Sequence, residues 1–229
     1  MNEKKKFSFA ELYNKVGIFF ILLVFVIIST ILSPNFFSTR NLLNLLTQNA
    51  AVTIIACGIT LLIITGNTDL SAGSMVAFTG CVVLGTFKNL TQVNGWADIP
   101  AALVAILLTI LLSIAIYGAA SLIITFLHAP AFIVTLAINT AARGLALMYT
   151  DGKVIKSAGN IVKIGQERLF GVIQYPILFM IAFLIITYIL LTQMRFGKYI
   201  YAIGGNPETA RSAGINNNSV IIRAYVYHA

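Results

Sequence analysis

The stretch IPAALVAILLTILLSIAIYGAASLIITFLHAPAFIVTLAINTAA occupies residues 99–142 and contains no residue of fixed charge. A helix that crosses a membrane needs about 20 mostly apolar residues, so this stretch is long enough for two spans. Gly118 and the pair Ala129–Pro130 are natural breaks within it. We therefore predict one span at residues 99–117 and another at residues 131–149. Residues 118–130 are expected to join them.

The composition of the whole chain agrees with a membrane protein. Hydrophobic residues make up 59% of the 229 residues and charged residues only 10%, whereas a soluble domain carries roughly 25% charged residues. This balance excludes an ordinary soluble fold. The same length criterion predicts four more spans, so we expect an all-α polytopic transmembrane helical bundle of about six spans. The further spans are expected at residues 15–33, 41–65, 70–87 and 176–192.

The net charge of +8 does not indicate a nucleic-acid partner, because long uncharged stretches separate the basic residues. Charged loops between membrane spans have this pattern. The N-terminal lysines favour a cytoplasmic N-terminus, and six spans then return residues 193–218 to the cytoplasm. The loop at residues 150–175 falls on the outer side, although it carries Lys153, Lys156, Lys163 and Arg168.

The segment TGNTDLSAGS, residues 65–74, interrupts the apolar pattern and contains Asp69. Only residues 75–87 are apolar before Lys88, which is too short for a span. We therefore predict a discontinuous helix whose second part starts inside this segment. Non-helical backbone at membrane depth is tolerated only where protein buries it or where it lines a cavity.

A second polar segment, RFGKYIYAIGGNPETARSAGIN, occupies residues 195–216. Asn206 suits a helix N-cap, Pro207 the first helical position and Glu208 the positive end of the helix dipole. Gly214 suits the left-handed position after the last turn. We predict a helix of about seven residues, at 207–213. Such a short helix needs a surface to dock on, so it is either a coupling helix for a soluble partner or an ordinary capped loop helix.

This segment resembles the cytoplasmic loop of monosaccharide-type ABC importer permeases, the branch that includes ribose and galactose/methyl-galactoside permeases. Those proteins carry a closely similar FG-x-x-I-x-AIGGN-x-x-A-x-x-x-GI pattern. The matching residues are Phe196, Gly197, Ile200, Ala202, Ile203, Gly204, Gly205, Asn206, Ala210, Gly214 and Ile215.

Two further segments support the resemblance, and together the matches span residues 35–220. TGNTDLSAGS is similar to the family's TGG-x-DLS-x-GS, with Asn67 in place of the second glycine. PAFIVTLAINTAARGLAL, at residues 130–147, is similar to P-x-FI-x-TLG-x-x-x-x-x-RG-x-AL, with Ala137 in place of glycine. Ser121 and Leu122 stand where members often have Asn-Gly.

The resemblance implies a permease subunit that moves a galactose- or ribose-like monosaccharide across the bacterial cytoplasmic (inner) membrane. It implies a cytoplasmic ABC ATPase, a periplasmic or lipid-anchored sugar-binding protein, and a second permease copy in a homo- or heterodimer. The chain itself is expected to be no enzyme and to bind no cofactor or metal, because ATP is bound by the partner. The positions that the resemblance assigns to ATPase coupling are Gly204, Gly205, Asn206, Pro207, Glu208, Ala210, Arg211 and Gly214.

Asp69 and Arg143 are ionisable groups at or near membrane depth, and such groups are functional candidates by default. Asp69, with Ser71 and Ser74, either lines the translocation path and hydrogen-bonds sugar hydroxyls or caps the helix that follows the break. Arg143 either snorkels to the membrane surface or pairs with Asp69. His128 is expected to be a polar residue at a helix break.

Three other functions remain open at the level of sequence. An ion-coupled secondary transporter would need a paired, buried ionisable site, and a branched-chain amino acid permease of the same superfamily would share the fold. The third is a membrane scaffold that transports nothing. Residues 219–229 are expected to begin a seventh helix and are too few to cross a bilayer. We therefore expect the chain to be the truncated first part of a permease.

Overall fold

The computed structural model describes residues 9–153, 159–169 and 171–229, and these are almost entirely helical. Of the predicted basic loops, Lys4, Lys5, Lys6 and Lys156 therefore lie outside the described residues. The helices are α1 (Phe9–Leu32), α2 (Thr39–Ile64), α3 (Ala72–Lys88), α4 (Asp98–Phe126), α5 (Ala131–Thr150), α6 (Lys163–Gln166), α7 (Tyr175–Thr192), α8 (Arg195–Gly205), α9 (Pro207–Ser212) and α10 (Asn217–His228).

The remaining ordered elements are short. A π-helical turn at Asn89–Val93 extends α3, and a 3₁₀ turn at Gly159–Val162 precedes α6. The two-residue strands β1 (Arg168–Leu169) and β2 (Ile173–Gln174) pair antiparallel. The prediction of an all-α membrane bundle is confirmed.

Four of the helices, α2, α4, α5 and α7, are long and apolar enough to cross a membrane. The part of α1 whose side chains are described, Gly17–Leu32, is apolar but shorter than those four helices. Many large apolar side chains on these helices are exposed, as expected where lipid is the surrounding solvent. The count of six full spans stays a prediction.

The contacts divide the chain into two units, Met1–Gln48 and Asn49–Ala229. In the first, α1 ends before a tight turn in which the Asn41 side chain donates to the Phe36 carbonyl at 2.8 Å. In the second, α3 packs between α4 and α5, and α10 packs against α4 and α8. The largest fully buried side chains of the second unit include Tyr225, Phe87 and Leu61.

The predicted break at Gly118 is wrong. Helix α4 continues through Gly118 to Phe126, so residues 118–126 of the predicted connecting segment are helical. A glycine costs a helix only about 1 kcal/mol, which is less than the cost of unpaired peptide groups in lipid. The real break lies between α4 and α5, and it contains His128 in a left-handed conformation with φ 55°.

Helix α8 meets the end of α2 at Gly204. A Cβ at this position would overlap the Ile64 carbonyl oxygen, whereas a Cβ at Gly205 would meet nothing within 4 Å. Backbone atoms cannot swing aside as a flexible side chain can. The close contact between the two segments therefore requires glycine at position 204 and not at position 205.

We expect Gly204→Ala to destabilise the protein by about 1–3 kcal/mol, since the added methyl must push α8 away from α2. The matched control Gly205→Ala should be neutral or slightly stabilising. Thermal unfolding of the detergent-solubilised protein measures both. Equal melting temperatures for the two variants would contradict the close contact.

Candidate functional site

The chain between α2 and α3 leaves the helical conformation for residues 65–71. Helix α2 ends in a Schellman motif, in which Gly66 adopts φ 79° and the Asn67 N–H donates to the Leu62 carbonyl at 2.9 Å. Helix α3 starts only at Ala72. The interruption predicted from TGNTDLSAGS is present in the structure.

The Asp69 carboxylate is the centre of this interruption. Its Oδ1 accepts hydrogen bonds from the N–H of Ser71 at 2.7 Å and from the hydroxyl of the same residue. Its Oδ2 accepts from the Tyr117 hydroxyl at 2.9 Å and from Nε2 of His228 at 2.7 Å. The carboxylate thus satisfies the backbone N–H of Ser71, the residue before α3, without capping the first turn of that helix, and it also joins α4 and α10.

This cluster lies well inside the bundle. The side chain of Asp69 is fully buried and that of His228 is only 3% exposed. The imidazole of His228 also lies against Gly58 of α2, where an added Cβ would be 2.5 Å from Nδ1. Gly58 precedes the last residue of α2, Ile64, by about 9 Å of helix. The carboxylate therefore lies beside the interior of α2 rather than beyond the end of that helix.

Helix α5 provides two further contacts to the interruption. The Leu70 N–H donates to the Thr135 hydroxyl at 3.2 Å, and Thr135 is fully buried. The Ser74 hydroxyl donates to the Asn139 side-chain oxygen. These bonds pair polar groups that lipid would leave unsatisfied, and they fix the start of α3 against α5.

Of the two alternatives for Arg143, the pairing with Asp69 is wrong. Arg143 is exposed on α5, and within the part of the chain that the structure describes it is His228 that contacts the Asp69 carboxylate. Sequence reasoning missed both Tyr117 and His228. Each lies in an apolar run with no local signal, and His228 is 159 positions from its partner.

The second polar segment forms the helices α8 and α9. Asn206 caps α9, because its side-chain oxygen accepts from the Thr209 N–H at 3.0 Å, and Pro207 is the first helical residue. Gly214, with φ 83°, follows α9 in a second Schellman motif. The Ile215 N–H donates to the Ala210 carbonyl at 3.1 Å. The capped helix is present, one residue shorter than predicted.

Most of α9 is exposed. Pro207, Glu208 and Arg211 face outward, and Ala210 is the buried residue of the helix. Helix α9 is also tied to the next helix, because the Asn217 side chain donates to the Pro207 carbonyl at 2.8 Å. An exposed, capped helix of this kind fits both the coupling helix and the ordinary capped loop helix that the sequence left open.

A cavity of about 1140 Å³ lies beside α9. Its walls come from the interruption after α2, the corner between α4 and α5, and the first turns of α9 and α10. Hydroxyl and amide side chains and both charges of α9 face it. The polar lining includes Thr65, Asn67, Thr68, Thr125, His128, Glu208, Arg211, Asn216, Asn217 and Asn218.

Comparisons with known proteins give consistent results. A family described as "Branched-chain amino acid transport system / permease component" matches residues 41–229. Ribose import permease protein RbsC of Escherichia coli K12 is 34% identical over 97% of this chain and 67% of its own length. The protein of the same name in Bacillus subtilis 168 is 35% identical over the same shares of the two chains.

Galactose/methyl galactoside import permease protein MglC of Escherichia coli K12 is 33% identical over 98% of this chain and 70% of its own length. The chain thus spans about two thirds of the length of these relatives. No solved structure matches it. The similarity covers both polar segments described above.

We expect Thr135→Val to destabilise the protein by about 1–3 kcal/mol, because the Leu70 N–H then loses its acceptor in an apolar setting. Thr140→Val is the matched control, since the Thr140 hydroxyl is exposed and bonds only within α5, to Leu136 at 3.1 Å. Thermal melts in detergent compare the two isosteric changes. If the two variants have the same melting temperature, the Thr135 hydroxyl does not hold the interruption.

Proposed function

Because the chain belongs to the family of branched-chain amino acid transport system permease components, we propose that it is the permease subunit of an ATP-driven importer for a monosaccharide. The observation that carries the proposal is the similarity, over nearly the whole chain, to proteins named as ribose and galactose/methyl galactoside import permeases. A protein named as a D-allose permease is 30% identical over 98% of this chain. All three names concern sugars and none an amino acid.

The chain would move the solute without covalent chemistry, and a cytoplasmic ATPase would supply the energy. The segment from Gly204 to Gly214 is the part that we assign to the ATPase contact. Its helix α9 is exposed, capped at both ends and hydrogen-bonded to α10. A movement of the ATPase that displaces α9 would therefore displace α10 as well. Gly205, Glu208 and Arg211 are exposed there, where a partner can reach them.

The remaining partners follow from the same proposal. A periplasmic or lipid-anchored sugar-binding protein would deliver the solute, and a second permease copy would complete the pathway. The N-terminus would be cytoplasmic, in the bacterial inner membrane. Arg143 and Ser74 remain candidates for the translocation path, whereas the contacts of Asp69 and Ser71 favour a role in holding the helix break.

Two other functions have an observation in their favour. The family description names branched-chain amino acids, and the buried pair of Asp69 and His228 is the kind of ionisable site that an ion-coupled carrier uses. The sugar importers among the relatives favour the ATP-driven sugar permease over both. The ion-coupled carrier does not explain the exposed helix α9, whereas a branched-chain amino acid permease, which shares the fold, would have the same helix.

Transport by the reconstituted complex tests the proposal. The chain is expressed with the ATPase and binding-protein genes that neighbour its own gene, and the complex is placed in proteoliposomes. We expect uptake of labelled ribose, galactose or allose that requires ATP and persists with a protonophore. Uptake of leucine alone would identify the amino acid permease, and uptake abolished by the protonophore would identify the ion-coupled carrier.

We expect Asn206→Ala to reduce ATP-dependent uptake, because loss of the cap costs α9 about 1 kcal/mol and frays the docking helix. Asn206→Asp keeps the acceptor oxygen and should retain most of the uptake. Co-purification of the ATPase with the permease gives a second measurement of the same contact. Equal uptake by both variants would contradict a role for the ordered α9.

A further inference from the structure

We propose that His228 is a positioning residue, through which the coupling segment sets the geometry of the interruption at Asp69. This inference rests on the proposed function, since it concerns how a push on α9 reaches the membrane bundle. The contact between Nε2 of His228 and Oδ2 of Asp69, at 2.7 Å, joins the far end of α10 to the chain between α2 and α3.

Helix α10 connects the two polar segments, because it contacts α9 at its first residue and Asp69 at His228. Its first residue, Asn217, donates to the Pro207 carbonyl at 2.8 Å, so this end is fastened to the first residue of α9. Its N-cap is closed by Asn216, which accepts from the Ser219 N–H at 3.1 Å. Twelve residues of helix place His228 about 17 Å from Asn217. A displacement of α9 therefore moves the imidazole with it.

The His228 side chain on α10 packs closely against neighbouring residues. The imidazole lies in the notch left by Gly58 and meets the Tyr117 ring edge-on, with ring centroids 4.8 Å apart. Nδ1 is buried and has no hydrogen-bond partner among the described residues, so Nε2 makes the specific polar contact. A small shift of α10 changes the distance from Nε2 to Asp69 with no other acceptor to replace it.

The energetics favour a role in position rather than in stability. Taking a carboxylate and an imidazole out of water costs free energy, which the hydrogen bond between them only offsets. Apolar side chains of similar volume would hold α10 as firmly at lower cost. A buried pair is best explained where a defined geometry matters, and here it fixes the residue that holds the Ser71 N–H at the start of α3.

The interruption receives a second hydrogen bond that serves as an internal control. Tyr117 of α4 donates to the same Oδ2 at 2.9 Å, but it has no direct connection to α9. Loss of the Tyr117 bond should loosen the Asp69 cluster, whereas loss of the His228 bond should also disconnect the cluster from α10. The two donors therefore separate a structural effect from a transmission effect.

The experiment measures ATP hydrolysis by the complex of permease, ATPase and binding protein, with and without sugar. The readout is the ratio of sugar-stimulated to basal hydrolysis. We expect His228→Leu to lower this ratio by about fivefold or more, the usual range of a coupling effect between sites. His228→Gln retains a donor near the position of Nε2 and should recover much of the ratio. Tyr117→Phe should lower the melting temperature and largely keep the ratio.

A second readout follows the structure directly. Hydrogen exchange of the amides at residues 65–71 should change on nucleotide binding in the wild-type complex. In His228→Leu that change should disappear, while the change in α9 remains. Asp69→Asn combined with His228→Leu should be no worse than the more impaired single variant. If His228→Leu does not assemble, His228→Phe, which keeps an aromatic ring and lacks the donor, takes its place in both measurements and is compared with His228→Gln and Tyr117→Phe.

Three outcomes would overturn the inference: an unchanged ratio in His228→Leu, an equal loss in Tyr117→Phe, or strictly additive losses in the double variant. These failures differ from failure of the proposed function. A wild-type complex that sugar does not stimulate would refute the sugar importer itself. A wild-type complex that is stimulated, with His228 variants that respond equally, refutes only the positioning role.

Discussion

The interruption between α2 and α3 is held by one constraint, that peptide groups at membrane depth need partners inside the protein. The Ser71 N–H takes Asp69 as its acceptor, and the Leu70 N–H takes Thr135. A carboxylate in that setting needs donors of its own, which Tyr117 and His228 supply. Satisfying two peptide groups thus brings together α3, α4, α5 and α10.

The two polar segments could be predicted because their signals are local. Asp69 stands out as a charge inside an apolar pattern, and too few apolar residues follow it for a full span. Asn206, Pro207 and Gly214 follow the order that caps and ends a short helix. Such signals depend on neighbours within one or two turns, so a single sequence contains them in full.

Contacts between distant residues could not be predicted in this way. The sequence offered a pairing of Asp69 with Arg143 as one of two alternatives, because both are charges inside apolar segments, yet in the structure Asp69 contacts His228, 159 positions along the chain. Gly118 failed as a helix break for a related reason. Its cost in a helix is small and fixed, and the tertiary setting of α4 decides whether it is tolerated. Both errors arise because the contacts that a residue makes with distant parts of the chain cannot be inferred from its type and its neighbours in sequence.

The pair of Asp69 and His228 bears on how the bundle is driven. A carrier driven by protons must let its ionisable pair exchange protons with each side of the membrane in turn. Here the carboxylate is fully buried and accepts four hydrogen bonds, so opening it to water would break the bonds that hold the Ser71 N–H in front of α3. A pair enclosed in this way is better suited to transmit position than to carry charge. In the proposed importer the displacement would enter through α9, which is exposed and is hydrogen-bonded to α10 through Asn217.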